Sequence, residues 1–167
     1  MKGDAVQHSY LENTPLGTLL LLSRDGRLCG LYMGKHVKEG TGKFATGTRD
    51  DAAFAHVSKQ LLAYFAGELK TFDLDFFGQG TEFQQRVWAA LCEIPYGETL
   101  SYGELARKLG NPKASRAVGL ANGQNPISII VPCHRVIGAN GALTGYGGGV
   151  ENKRWLLDHE ARQRQLL

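Results

Sequence analysis

Residues 132–135 read Pro-Cys-His-Arg, which sets a thiol next to an imidazole. A thiolate is a strong nucleophile, but a free cysteine has a pKa near ~8.5 and needs a base or a positive field to ionise at neutral pH. His134 is the base nearest in sequence. Residues 127–131 form a largely apolar, β-rich run that reads as a buried strand, ended by Pro132. Successive side chains of an extended chain point apart, so a water or a local bend has to join Cys133 to His134. Downstream, Asn140-Gly141 signals a turn. Gly145-Tyr146-Gly147-Gly148-Gly149 then makes a loop whose backbone can approach a ligand closely. An imidazole base also needs an acid to orient it. Glu160 closes a segment containing Trp155, Leu156 and Leu157 and can reach the core, whereas Asp158 and Glu151 read as solvated charges. The plainer reading of the same residues is a structural cysteine beside a surface histidine.

These groups need a scaffold, and 167 residues suffice for one good core or two small domains. No apolar run approaches the ~20 residues that span a bilayer. The opening MKGDAVQHSYLENTP lacks the apolar stretch of a secretion signal, so the protein is expected to be cytoplasmic. Cys29, Cys92 and Cys133 are widely spaced and odd in number, a poor disulfide framework. No Cys-x-x-Cys occurs and no His falls at ligand spacing from Cys29 or Cys92, so no metal and no cofactor are expected.

The net charge of +3 is unevenly placed. Residues 1–80 hold nine Lys/Arg and nine Asp/Glu, and residues 81–167 hold ten against seven. Arg107, Lys108, Lys113 and Arg116 fall within residues 100–122 against the single acid Glu104, a patch suited to a polyanion or to a solvated helix face.

Residues 16–23 and 27–33 flank Asp25-Gly26 and read as a β-hairpin. Residues 34–50, rich in Gly, Lys and Thr, read as an exposed loop. Phe54, Val57, Leu61 and Phe65 recur at helical spacing before Gly67, and residues 72–77 suggest another strand. The fold expected for residues 1–78 is therefore an α/β domain, a small antiparallel sheet plus a helix. Residues 79–167 are expected to form a mostly helical domain with a helix-turn-helix. Thr81-x-x-Gln84 and Ser101-x-x-Glu104 are capping boxes, and the second starts a helix ending at Gly110. Pro112 can open the next helix, which runs to Gly123. Two short helices bearing the basic patch suit a helix-turn-helix. Ala114, Ala117, Gly119 and Ala121 leave the second helix few long polar side chains to read base edges. Small residues suit a narrow minor groove or tight helix packing, and Arg116 could enter a groove or fill a gap in a base stack.

The run NPISIIVPCHRVIGANGALTGYGGG resembles the active-site segment of the O6-alkylguanine-DNA alkyltransferases, the methylated-DNA–protein-cysteine methyltransferases. The resemblance continues through FQQRVWAALCEIPYGETLSYGELARKLG, RAVGLANGQNP and NKRWLLDHE, and covers the chain from about Thr14 to Glu160. It implies that Cys133 accepts the alkyl group of O6-alkylguanine, and of O4-alkylthymine, irreversibly and once per molecule. His134 would be the base through a water, with Glu160 orienting it. Tyr102 would rotate the target phosphate and protonate the departing guanine. Arg116 would replace the flipped nucleotide in the stack, with Ser101, Lys113 and Ala117 on the same DNA face. Asn125 would link the recognition helix to the catalytic segment. Val131, Pro132, Tyr146, Gly147 and Gly148 would border the base pocket, with the carbonyls of Val131 and Cys133 reading the guanine edge. The partner implied is double-stranded DNA entered by the minor groove, and the protein would act as a monomer.

Three other readings differ in what they need. A non-catalytic lesion binder would lack the acceptor thiol, which Cys133 argues against. A Cys-His hydrolase needs an oxyanion hole and has no use for a basic helix pair. A transcription regulator needs base-reading side chains that this helix lacks.

Overall fold

Asp25 and Gly26 have φ of 51° and 79°, the positive pair that a two-residue hairpin turn requires. They join β2 (Gly17–Arg24) to β3 (Arg27–Tyr32). The computed structural model describes residues 6–37 and 47–165, so most of the expected 34–50 loop lies outside the described residues. The chain divides into two compact units, Met1–Gly78 and Gln79–Leu167.

In the first unit, β1 (Val6–Thr14) pairs antiparallel with β2, giving β2 a partner on each side. The described end of the expected loop supplies β4 (Thr48–Arg49), which pairs parallel with β1 at Gln7–Thr48 and His8–Arg49. The sheet, in the order β3-β2-β1-β4, is therefore mixed rather than purely antiparallel. A two-residue strand carries no periodic signal, which is why its segment reads as loop. The strand expected over 72–77 shrinks to a single bridge between Leu28 and Phe76 on the free edge of β3. There the Leu28 amide donates to Asp75 O and the Phe77 amide to Leu28 O. Helix α1 (Ala55–Phe65) follows a 3-10 turn at Ala52–Phe54 and stops at Gly67, φ 79°. Phe54, Val57, Leu61 and Tyr64 are buried with Leu19–Leu21, Leu31 and Met33. Tyr64 takes the core position that the spacing assigned to Phe65, which is only half-buried.

In the second unit, α2 (Glu82–Cys92) and α3 (Tyr102–Lys108) both start with the complete capping boxes that the sequence announces, on Thr81/Gln84 and Ser101/Glu104. Gly110, φ 78°, turns the chain after α3. Helix α4 (Ser115–Gly123) begins three residues later than Pro112. Pro112 and Lys113 instead lie in the turn, closed by Ala114 N donating to Asn111 O at 3.0 Å. The indole of Trp88 on α2 donates to Ala121 O on α4 at 2.9 Å, pinning the two helices together. A short parallel pair, β5 (Leu100–Ser101) with β6 (Val136–Ile137), ties the start of α3 to the segment after Cys133. Helix α5 (Val150–Gln165) closes the unit.

Residues 127–131 do not form the expected strand. They turn, with Ile129 at φ 73° and Val131 N donating to Ile127 O, an unusual backbone for a β-branched residue. Their burial is as expected, with Ile127, Ile129, Ile130 and Val131 all in the core. Asn125 takes the place of a neighbouring strand. Its Oδ1 accepts from Ile127 N at 3.0 Å, and its Nδ2 donates to Val131 O at 2.8 Å and Ile127 O at 3.4 Å. An apolar run has the same composition in a strand or a buried turn, and here the side chain of Asn125 decides.

Candidate active site

Cys133 opens a 3-10 turn, Cys133–Arg135, with Pro132 at its N-cap. This is the local bend that an extended chain would lack. It turns the His134 ring into the core, where the residue has no exposed surface and its Nε2 lies 2.8 Å from Glu160 Oε1. The next residue of the same turn grips that carboxylate again. Arg135 Nε donates to Glu160 Oε2 at 3.0 Å, its Nη2 to Oε1 at 2.9 Å, and its Nη1 to Ile94 O at 2.7 Å. The Gly97 amide adds a fourth donor to Glu160, at 3.3 Å.

These contacts set the ionisation. Burial by itself would raise the Glu160 carboxyl, but the hydrogen bonds and charges of His134 and Arg135 outweigh it and hold the group far below the usual carboxylate range. Burial lowers His134, against the pull of Glu160, so the imidazole is neutral at neutral pH. Because Nε2 faces an anion, it carries the proton, and Nδ1 is left as a lone pair with no hydrogen-bond partner among the described protein atoms. Burial also raises the Cys133 thiol, a shift opposed by the Asn125 amide and by the nearby charge of Lys153. The resting group is therefore a thiol, and it needs a base at the moment of reaction.

Helix α5 positions two charged groups on its inner face. Lys153, Leu156 and Glu160 recur at spacings of three and four and are all buried. The Lys153 ammonium donates to Val136 O at 2.6 Å and Thr144 O at 3.2 Å. Lys153, Arg135 and Asn122 were not singled out from the sequence. The Asn122 Nδ2 donates to Cys133 O at 3.3 Å. The helical spacing of Lys153 with Glu160 was the available signal.

The Tyr102 hydroxyl donates to Thr144 O at 3.0 Å, and its ring flanks α4, where a Cβ at Gly119 would lie 3.6 Å from it. Tyr146 is buried and close enough to Cys133 to feel its charge. Gly147 is exposed and Gly148 half-buried. Cys133, His134, Glu160, Asn125, Tyr102, Pro132 and Tyr146 are thus gathered around one turn.

Val131 is not available in the role given to it. Its carbonyl already accepts from Asn125 Nδ2 and from Cys133 N, both at 2.8 Å, which fills its two lone pairs. Ser101 is also engaged, its Oγ capping α3 by accepting from Glu104 N at 3.1 Å and leaving only the hydroxyl proton for a phosphate. Arg116, Ala117 and Lys113 are exposed, and neither Arg116 nor Lys113 forms an ion pair among the described residues.

A buried thiol served by a neutral imidazole and a fixed carboxylate, on a unit that also carries a basic helix pair, defines a cysteine nucleophile directed at a polyanion. The comparisons with known proteins agree with that class. Residues 82–162 match the model of the 6-O-methylguanine DNA methyltransferase DNA binding domain, and residues 6–76 match that of the ribonuclease-like domain of the same family. The chain belongs to the 6-O-methylguanine DNA methyltransferase family. It is 56% identical over 151 residues to a methylated-DNA–protein-cysteine methyltransferase of Mycolicibacterium paratuberculosis, covering 90% of each chain. It is 54% identical to one from Methanosarcina acetivorans, covering 88% of this chain and 94% of the relative. Among solved structures, it is similar to Mycobacterium tuberculosis OGT in complex with DNA, with a TM-score of 0.87, 52% identity and 94% of each chain covered.

Proposed function

We propose that this protein repairs O6-alkylguanine, and O4-alkylthymine, in double-stranded DNA by moving the alkyl group onto Cys133 in a single turnover. The observation that carries the reading is the buried Cys133 on the same short turn as His134, whose ring is locked to Glu160. A lesion binder without chemistry has no use for this arrangement.

A guanine O6-alkyl group inside the base stack cannot be approached opposite its leaving oxygen, so the nucleotide has to flip out. Helices α3 and α4 act as a helix-turn-helix in which small residues let α4 enter the minor groove and Arg116 fills the gap left in the stack. Lys113 and the Ser101 hydroxyl meet phosphates beside it, and Ala117 allows the close approach. The extruded base enters a pocket bordered by Pro132, Tyr146, Gly147 and Gly148; Cys133 O, like Val131 O, already accepts two hydrogen bonds, from Asn122 Nδ2 and the Val136 amide. The second unit thus holds both the DNA surface and the chemistry.

His134 Nδ1 takes the thiol proton through a water, and Glu160 steadies the imidazolium that forms. The thiolate attacks the alkyl carbon as the bond from that carbon to O6 breaks, and its electron pair passes to the guanine. Tyr102 supplies a proton to the departing base. The imidazolium then gives its proton back to the Tyr102 phenolate through solvent, so that, overall, the thiol proton is balanced by the one gained by guanine and the sulfur becomes a thioether. No group in the site can displace a thioether, so the protein is consumed. In this reading it works as a monomer in the cytoplasm.

Intact-protein mass after incubation with a duplex carrying one O6-methylguanine tests the proposal. Gain of one methylene mass, mapped to Cys133 and absent from Cys133→Ala, is the expected result. Tight binding without mass gain would instead make the protein a lesion sensor.

A further inference from the structure

Lys153 has no exposed surface, and among the described residues it has no carboxylate within ion-pair distance. The other buried cation of the site, Arg135, is matched by Glu160. The remaining acids of α5, Glu151 and Asp158, are exposed. Lys153 is satisfied by two carbonyl oxygens, which supply dipoles but no counter-charge. An unpaired buried ammonium is costly, and a fold that keeps one is stabilised wherever an anion forms beside it.

Its position indicates which anion that is. Val136 O, the nearer partner of the ammonium at 2.6 Å, belongs to the residue directly after the Cys133 turn, and the Val136 amide donates back to Cys133 O. The Cys133 backbone and the Lys153 ammonium are thereby held at the two ends of one short hydrogen-bonded segment. The charge of each acts on the other, lowering Cys133 and raising Lys153 against the effect of burial. Among the described residues, the other titratable groups around the thiol supply no standing positive charge free to serve it. His134 is neutral, Arg135 is spent on Glu160, and Tyr102 and Tyr146 are uncharged phenols raised by burial. Cys92 on α2 faces Arg135 and is itself raised by burial.

We propose that Lys153 is the counter-cation of the Cys133 thiolate, a positioning residue that supplies the positive field while His134 takes the proton. This rests on Cys133 being the alkyl acceptor and adds a second, electrostatic requirement to that reading. The field acts on the sulfur whatever the electrophile, so it can be read without DNA.

The test is the pH profile of Cys133 alkylation by iodoacetamide, mapped by peptide mass spectrometry, for wild type, Lys153→Gln and Lys153→Met. Circular dichroism confirms the fold of each variant. Glutamine keeps a donor for the carbonyls but no charge. The expected result is a midpoint shifted to higher pH in both variants and a rate at neutral pH lower by about tenfold or more. A folded Lys153→Gln with the wild-type midpoint overturns the proposal. Should neither variant fold, the reciprocal measurement remains, because coupling between two sites is mutual. Side-chain NMR of Lys153 in Cys133→Ala should show its titration moved to lower pH than in wild type, and an unchanged titration overturns the proposal equally. Absence of methyl transfer from DNA to the wild-type protein, with these profiles as expected, would fault the repair reading and leave the Lys153–Cys133 coupling standing.

Discussion

His134 Nε2 and Glu160 Oε1 are 2.8 Å apart in a site that exposes neither residue by more than 1%. The contact joins a residue of the Cys133 turn to one 26 positions later on α5, so the imidazole orientation depends on the tertiary fold.

Burial of that pair makes the protein acid-labile. Both groups have folded pKa values below their unfolded ones, His134 through burial and Glu160 through its donors. Each therefore contributes stability above its unfolded pKa that is lost as pH falls toward the folded value. Loss should begin below about pH 6.5 from His134 and steepen below about pH 4.5 from Glu160, at no more than about 1.4 kcal/mol per pH unit per group. Urea unfolding from pH 8 to pH 4 checks this. A flat stability profile between pH 7 and pH 5, or one that His134→Phe leaves unaltered, would contradict it.

Glu160→Gln should be strongly destabilising, by roughly 3–5 kcal/mol, because Arg135 would stay buried without an anion. The same variant should slow methyl transfer, since His134 loses the anion that steadies its imidazolium. Chemical denaturation and single-turnover kinetics measure the two effects, and a fully stable variant would show that Arg135 finds another partner.

Asn125→Ala removes one donor and one acceptor that serve three backbone groups of the 127–131 turn. Leaving these groups buried should cost roughly 2–4 kcal/mol. The expected sign is a lowered Tm together with faster amide exchange at Ile127 and slower methyl transfer. A variant with unchanged Tm and exchange would mean that other groups hold this turn.

Tyr102→Phe keeps the ring against α4 but deletes the proton donor. Single-turnover transfer from O6-methylguanine duplex should slow by about a hundredfold, the size typical of a lost general acid. Alkylation of Cys133 by iodoacetamide should be unaffected, and equal slowing of both reactions would instead indicate a disturbed thiol.

Arg116→Ala should slow transfer from duplex by roughly ten- to a hundredfold while leaving transfer from free O6-benzylguanine unchanged, because only extrusion within a duplex leaves a gap to fill. Parallel assays on the two substrates decide it. Equal rates on duplex for variant and wild type would remove Arg116 from the flipping step.

The sequence was most informative where a local pattern has one physical solution. Asp25-Gly26, the capping boxes on Thr81 and Ser101, and the stops at Gly67 and Gly110 each depend on a backbone or side-chain geometry completed within a few residues. Where a partner comes from afar, the pattern was ambiguous. Residues 127–131 are buried as their composition demands, but Asn125 turns them instead of pairing them with a strand. The same holds for β4, β5 and β6, two-residue strands that exist because other segments meet them. Val131 shows the limit of carrying a role over by likeness, since only the hydrogen bonds reveal that its carbonyl is already filled.

By itself the sequence determined the chemistry on offer: a cysteine beside a histidine and an arginine, a Gly-rich loop after them, and a basic pair of short helices before them. It also determined most helices, because amphipathic spacing and caps act over a single turn or two. Only the tertiary structure decided how those groups are charged. Ionisation depends on burial and on neighbours brought together from α2, α4 and α5, which no local window contains. It is the fold that makes Glu160 a fixed anion and leaves His134 neutral, and that buries Lys153 where its charge acts on Cys133, with no carboxylate among the described residues to balance it.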